Sequence, residues 1–208
     1  MTLARAAAVL IAIGVFATIA LRIWLRMTDD GETFVQAVWG MYRFYTIWTN
    51  TLIGMACGLI ALGRPRTPQS LSNLLLSIII VAAVYYALLA RLNDFTGLDA
   101  VVDTMLHTVI PLAFVGFWLI LVPKSTLTYK DILPWLILPL VYCICAMMRA
   151  QFDGVYPYFF LNLGDLGLMR TALNVMGLLI AFSCMGAAIV LAAKLLSRLN
   201  PRVEANKA

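Results

Sequence analysis

The stretch FYTIWTNTLIGMACGLIALG, Phe44–Gly63, decides how the chain is to be read. It holds the roughly 20 mostly apolar residues that a helix needs to cross a hydrocarbon core. It runs out on Arg64 and Arg66, and it opens on Thr46, Thr49 and Asn50. Cations are ordinary at a membrane boundary. Two hydroxyls and an amide inside an apolar entrance are not, because lipid tails offer polar side chains no partner. The reading is a membrane-spanning helix with a polar mouth.

Working outward, five more segments have the same character. The six expected spans are about 4–26, 43–63, 71–91, 101–122, 131–149 and 168–196. Of the 208 residues 63% are hydrophobic and only 12% charged, too apolar for a water-soluble domain. Connections are short and no repeat or low-complexity tract interrupts them, so residues 1–208 read as a single all-α, polytopic six-helix transmembrane domain. The start, MTLARAAAVLIAIGVFATIAL, runs on into RIWLRM without a clean A-x-A site, so it reads as a retained first helix and not as a signal peptide. Cys57, Cys143, Cys145 and Cys184 all fall within apolar runs and read as buried free thiols. Cys143 and Cys145 point about 200° apart on a helix, so they make no dithiol pair.

Charge sets the expected orientation. Arg5, Arg64, Arg66, Lys124, Lys130, Lys194, Arg198, Arg202 and Lys207 fall on one side, nine against the six of Arg22, Arg26, Arg43, Arg91, Arg149 and Arg170. The positive-inside rule puts the richer side, with both termini, in the cytoplasm. Most acids fall on the other side, from Asp29 to Asp165. The basic excess therefore speaks of orientation; no nucleic-acid fold surrounds it. Alternating the spans then brings Arg22, Arg43, Thr46, Asn50, Arg91, Asp103, His107, Arg149, Asn162 and Asp165 to one depth, near the outer leaflet. Ionisable groups within spans usually face the bundle interior, so this layer is the expected site. The loop FDGVYPYFFLNLG carries Tyr156 and Asn162 and reads either as an interfacial aromatic belt or as a cap over that layer.

The single histidine, His107, lies about two turns into the fourth span, with Asp103 four residues earlier on the same face. Asp103 either orients the imidazole or caps the helix start. Arg43, Thr46 and Asn50 share one face of the second span. A hydroxyl becomes a nucleophile when a base takes its proton. Thr46 would attack an ester, His107 would take the proton, and Asn50 or a backbone N–H would hold the oxyanion. Arg43 or Arg149 would hold a substrate carboxylate. The competing reading has Thr46, Thr49 and Asn50 bonding to backbone or neighbouring helices, and Thr49 is the fallback nucleophile. One histidine excludes bis-histidine haem within one chain. No zinc-ligand spacing, phosphate loop, dinucleotide turn or nucleophile elbow is present, so no metal or organic cofactor is expected.

FYTIWTN, HTVIP and YPYFFLN, in that order over residues 40 to 180, resemble the androgen-induced and androgen-dependent membrane hydrolase family, above all its bacterial six-helix relatives. PLVYCICAMMRA, ending on Arg149 and Ala150, looks like the same branch. The resemblance implies an intramembrane threonine hydrolase acting on fatty acid esters of hydroxy fatty acids. Its catalytic threonine and histidine would be Thr46 and His107, and its place a bacterial inner membrane. Asn162 and Phe117 stand where the relatives carry acids, which leaves Asp103 or Asp165 as substitutes. The alternative to a lipid ester hydrolase is a non-enzymatic binder or transporter of an amphipathic anion.

Overall fold

The computed structural model describes residues 2–92 and 94–199. Within them the chain is an all-α bundle without strands. The helices are α1 (Leu3–Thr28), α2 (Phe34–Met41), α3 (Tyr45–Ala61), α4 (Pro68–Val84), α5 (Gly97–Thr104), α6 (Ile110–Leu121), α7 (Ile132–Trp135), α8 (Ile137–Asp153) and α9 (Leu163–Leu199). Five stretches are long and apolar enough to cross a membrane: Leu3–Thr28, Pro68–Leu92, Gly97–Leu121, Tyr129–Asp153 and Leu163–Leu199. A sixth crossing comes from α2 and α3 taken as one broken span, bent by 99°. The protein is therefore a polytopic membrane bundle.

The bend was not anticipated, because residues 27–42 read as a connection between the first two spans. Thr33 starts α2 with a capping box: its amide donates to Gln36 Oε1 at 2.8 Å, and its hydroxyl accepts from the Gln36 amide. Ala37 and Met41 face the protein, while Phe34, Val35 and Trp39 are exposed. Its outward face is therefore apolar, as suits contact with lipid. The last helix begins at Leu163, before the expected residue 168, because Asn162 caps it. Gly167, at φ 72°, then kinks the chain where the longer span begins.

Two spans carry π-helical turns. Tyr85–Leu89 follows α4, and Met105–Val109 joins α5 to α6. The second has a visible cause. Pro111 has no N–H, and its ring would crowd the carbonyl of His107 in an unbroken α-helix. The chain widens instead, and the Ile110 amide reaches back five residues to the Met105 carbonyl.

Val15, Ile53, Cys57, Leu76, Ile78, Phe114 and Val190 form the buried centre. Trp118 closes it, donating its indole N–H to Ser72 at 2.8 Å. Outside, Leu10, Ile13, Leu112, Leu133, Ile137 and Ile180 point away from the protein, as lipid-facing side chains do. In the GMACG stretch only Gly54 makes the close helix approach that small residues allow: a Cβ there would stand 2.8 Å from Val15 Cγ1 and 3.1 Å from Phe16. A Cβ at Gly58 would meet nothing within 4 Å. Gly54→Val should cost about 1–3 kcal/mol by overpacking the α1–α3 contact, whereas Gly58→Ala should be neutral. Thermal unfolding of the detergent-solubilised variants measures both.

Candidate active site

Thr46 is the second residue of α3, immediately after the bend. Phe44, the residue before α3, gives no side-chain cap. The Tyr158 phenol takes that place, accepting the Tyr45 amide at 3.1 Å. Tyr142 donates its hydroxyl to the Arg43 carbonyl at 2.8 Å, and Tyr45 donates to Ser77 at 2.9 Å. Tyrosines from α8 and from the loop before α9 thus pin the start of α3 and the direction of Thr46.

His107 sits in the π turn Met105–Val109. Its Nε2 lies 3.4 Å from Thr46 Oγ1. That is long for a hydrogen bond, though catalytic bonds commonly tighten only when substrate is bound. Its Nδ1 lies 3.1 Å from both the carboxylate and the carbonyl of Asp103. A proton on Nδ1 donates there and leaves Nε2 as the acceptor facing the Thr46 hydroxyl. Asp103 is the seventh residue of α5, so it does not cap the helix start. Its second carboxylate oxygen accepts the Tyr85 hydroxyl. The Tyr85 ring also stacks on the imidazole, 3.8 Å between centroids and 8° from parallel. Asp103 and Tyr85 therefore hold the ring from its edge and from its face.

A cavity of about 440 Å³ opens beside this group. Thr46, Asp103, His107, Tyr85 and Tyr158 line it, with Arg22 and Arg26 further out. A smaller apolar groove of about 60 Å³ meets it at Thr46, Tyr85, Leu89 and Tyr158. Thr49 is fully buried and lines neither space, which leaves the half-buried Thr46 as the hydroxyl of the pair that reaches both. Pro157, Tyr158 and Phe159 also line the larger cavity, so the loop before α9 covers it as a cap.

Several expected site residues sit elsewhere. Asn50 is completely buried, and its Nδ2 donates to the Thr46 carbonyl at 2.8 Å and to the Leu106 carbonyl at 3.4 Å. Its donors are spent on backbone, so it is no oxyanion donor. Arg43 and Arg149 are not among the cavity-lining residues. Both bond Asp153 Oδ2, at 2.9 and 3.1 Å, and Arg149 lies 4.0 Å over the Trp39 ring. Engagement with Asp153 replaces the expected carboxylate anchor. Tyr156 accepts from Gln151 at 3.2 Å, outside the cavity. Asn162 accepts the amides of Gly164 and Asp165 at 3.0 and 3.3 Å and donates to the Asp165 carboxylate, so it is a helix cap. Asp165 is thereby engaged at the start of α9 and does not line either space.

Charges at the cavity are matched. Arg22 pairs with Asp99, and Arg26 Nε donates to Glu32 at 2.7 Å. The bond from Arg26 holds the Glu32 carboxyl below its ordinary range. Burial pushes the Tyr158 phenol up, so it remains an O–H donor. Among the described residues no three His, Cys, Asp or Glu side chains converge as metal ligands. Tyr85 and Tyr158 are the site residues that sequence reasoning missed. Neither lies on the spaced face that picked out Thr46; a π turn delivers one and loop folding the other. No family model, curated protein or solved structure matches the chain.

The carbonyl that Asn50 meets has a specific reason to lack a partner. In the π register, the donor to Leu106 would come from residue 111, which is proline. Asn50→Ala should therefore cost about 1–3 kcal/mol of stability. In a Pro111→Ala background, where a backbone donor returns, the same change should cost less. A double-mutant cycle on unfolding free energies, with a coupling of at least about 0.5 kcal/mol, checks the link.

Proposed function

We propose that the protein is an intramembrane hydrolase of lipid esters, with Thr46 as nucleophile and His107 as base. The observation that carries this reading is the Asp103–His107–Thr46 series, with contacts of 3.1 and 3.4 Å, at the junction of a polar cavity and an apolar groove. The same Thr46 and His107 are the residues implied by the resemblance to the androgen-induced and androgen-dependent hydrolases. Fatty acid esters of hydroxy fatty acids, or esters like them, are the substrate class.

Thr46 Oγ attacks the ester carbonyl carbon while its proton passes to His107 Nε2. Asp103 stabilises the imidazolium through Nδ1, as an acid does in hydrolytic triads. The Tyr158 hydroxyl, beside Thr46 at the start of α3, supplies the donor to the oxyanion. The C–O bond of the ester then breaks, and His107 returns the proton to the leaving alkoxide. Water entering the larger cavity attacks the acyl-threonine and loses its proton to His107. That proton returns to Thr46 Oγ as the fatty acid leaves.

Positive-inside counting supports both termini in the cytoplasm and the site near the outer leaflet; the resemblance implies a bacterial inner membrane. An anion carrier would need an unmatched cation at the cavity, and Arg22 and Arg26 are both engaged by acids.

Thr46→Ala and His107→Ala should each abolish ester turnover with the fold retained, and a stopped reaction of the wild-type protein should leave an acyl adduct on Thr46 by mass spectrometry. Full activity in either variant would sink the assignment. Asp103→Asn, which disturbs the tautomer and not the packing, should lower kcat by about 10²–10⁴. Tyr158→Phe should lower it by about 10²–10³.

A further inference from the structure

The two spaces that meet at Thr46 differ in chemistry and volume. The larger carries Arg22, Arg26, Asp99 and Asp103 in its wall. The smaller groove, about 60 Å³ against 440 Å³, has almost nothing polar in its wall beyond Thr46 and the tyrosine rims. It runs between α8, through Leu140 and Cys143, and the facing side of α4 and α9, through Val84, Val175, Leu179 and Phe182. Val175 and Leu179 are half-buried and Leu140 is 43% exposed, so these walls reach the lipid-facing surface. Beside them Met176, Ile180, Ile144 and Val141 project outward from the same two helices.

We propose that this groove is the acyl-chain site, and that it admits the chain sideways from the membrane between α8 and α9. The inference rests on the hydrolase reading above and assigns the two halves of the ester. The acyl half lies in the groove, and the alcohol half, with its polar group, lies in the larger cavity. Of the four residues that line both spaces, Thr46, Tyr85, Leu89 and Tyr158, Thr46 carries the nucleophile, so the carbonyl carbon lies at that junction. A groove with so little polar surface favours a hydrocarbon chain; a charged or hydrated group entering it would lose its water without gaining a partner. Continuity with lipid-facing side chains means that the chain passes from bilayer to groove without crossing water. Val175 and Leu179 are then specificity-determining residues: they set how much chain the groove takes and do not touch the reacting atoms.

The test compares Val175→Trp and Leu179→Trp with the wild-type protein on p-nitrophenyl esters from acetate to palmitate, in one detergent. Each variant should lose at least tenfold in kcat/KM on palmitate while acetate turnover stays within twofold. An equal loss at every chain length, or no loss, would overturn the groove assignment. Absence of turnover by the wild-type protein on any ester would instead count against the hydrolase reading. A second readout needs no turnover: a palmitate with a diazirine near its terminal methyl, photolysed with Thr46→Ala protein in detergent. Crosslinks should fall on α8 and α9 peptides and be displaced by unlabelled palmitate. Crosslinks confined to α1 or α5, around the larger cavity, would reverse the assignment.

Discussion

The amide of Asn50 holds two carbonyls at once, and the geometry of the site depends on it. One belongs to Thr46 on its own helix, the other to Leu106 in the π turn that carries His107. Pro111 removes the donor that the π register would offer Leu106. In hydrocarbon an unmet carbonyl costs several kcal/mol, so the partner has to come from protein. Asn50 provides it from α3. The repair of a backbone defect in one span is therefore also the fastening that holds two spans in register, with Thr46 and His107 at 3.4 Å.

The same accounting explains the crowd of tyrosines. Tyr158 meets an amide that α3 leaves open where the chain bends, and Tyr142 meets the Arg43 carbonyl on the other side of the bend. A tyrosine suits these places because its ring is apolar and only its tip needs a partner. Tyr45, Trp48, Tyr142 and Tyr158 pack together, with ring centroids 4.9 to 6.5 Å apart in the pairs Tyr142 makes with the other three. The ion pairs obey a related rule. Arg22, Arg26, Arg43 and Arg149 all engage acids, since an isolated charge near hydrocarbon is costly.

The spans were legible because length and apolarity are properties of the sequence itself. So was the common depth of Thr46 and His107, since alternating helices brought both to one level and each was conspicuous among apolar neighbours; their contact at 3.4 Å was not. Rotation was not legible. Whether Thr46 or Thr49 faced the cavity depended on how α3 turns against α1, and that depends on Gly54 meeting Val15 and Phe16. Asn50 looked like a site residue because the π turn that consumes its amide cannot be seen as a 3.6-residue periodicity. Tyr85 was hidden for the same reason: its ring reaches His107 from a second π turn. The capping box at Thr33 and Gln36 was present in the sequence, yet α2 was missed because the short run between two spans read as a connection.

The paired π turns also bear on what the histidine can do. A single turn widened by Pro111 would leave the imidazole with an edge contact to Asp103 and freedom to tilt. Tyr85, brought forward by the turn after α4, takes up that freedom by lying flat on the ring. Its hydroxyl then reaches the carboxylate that holds Nδ1, so ring, base and acid form one connected unit. A base held at both face and edge loses little entropy when it takes a proton, because its geometry is already set. Thr46 has fewer constraints, being at the start of its helix beside two open spaces. In the proposed hydrolysis the hydroxyl, free to rotate about its own Cα–Cβ bond, is therefore the partner that moves.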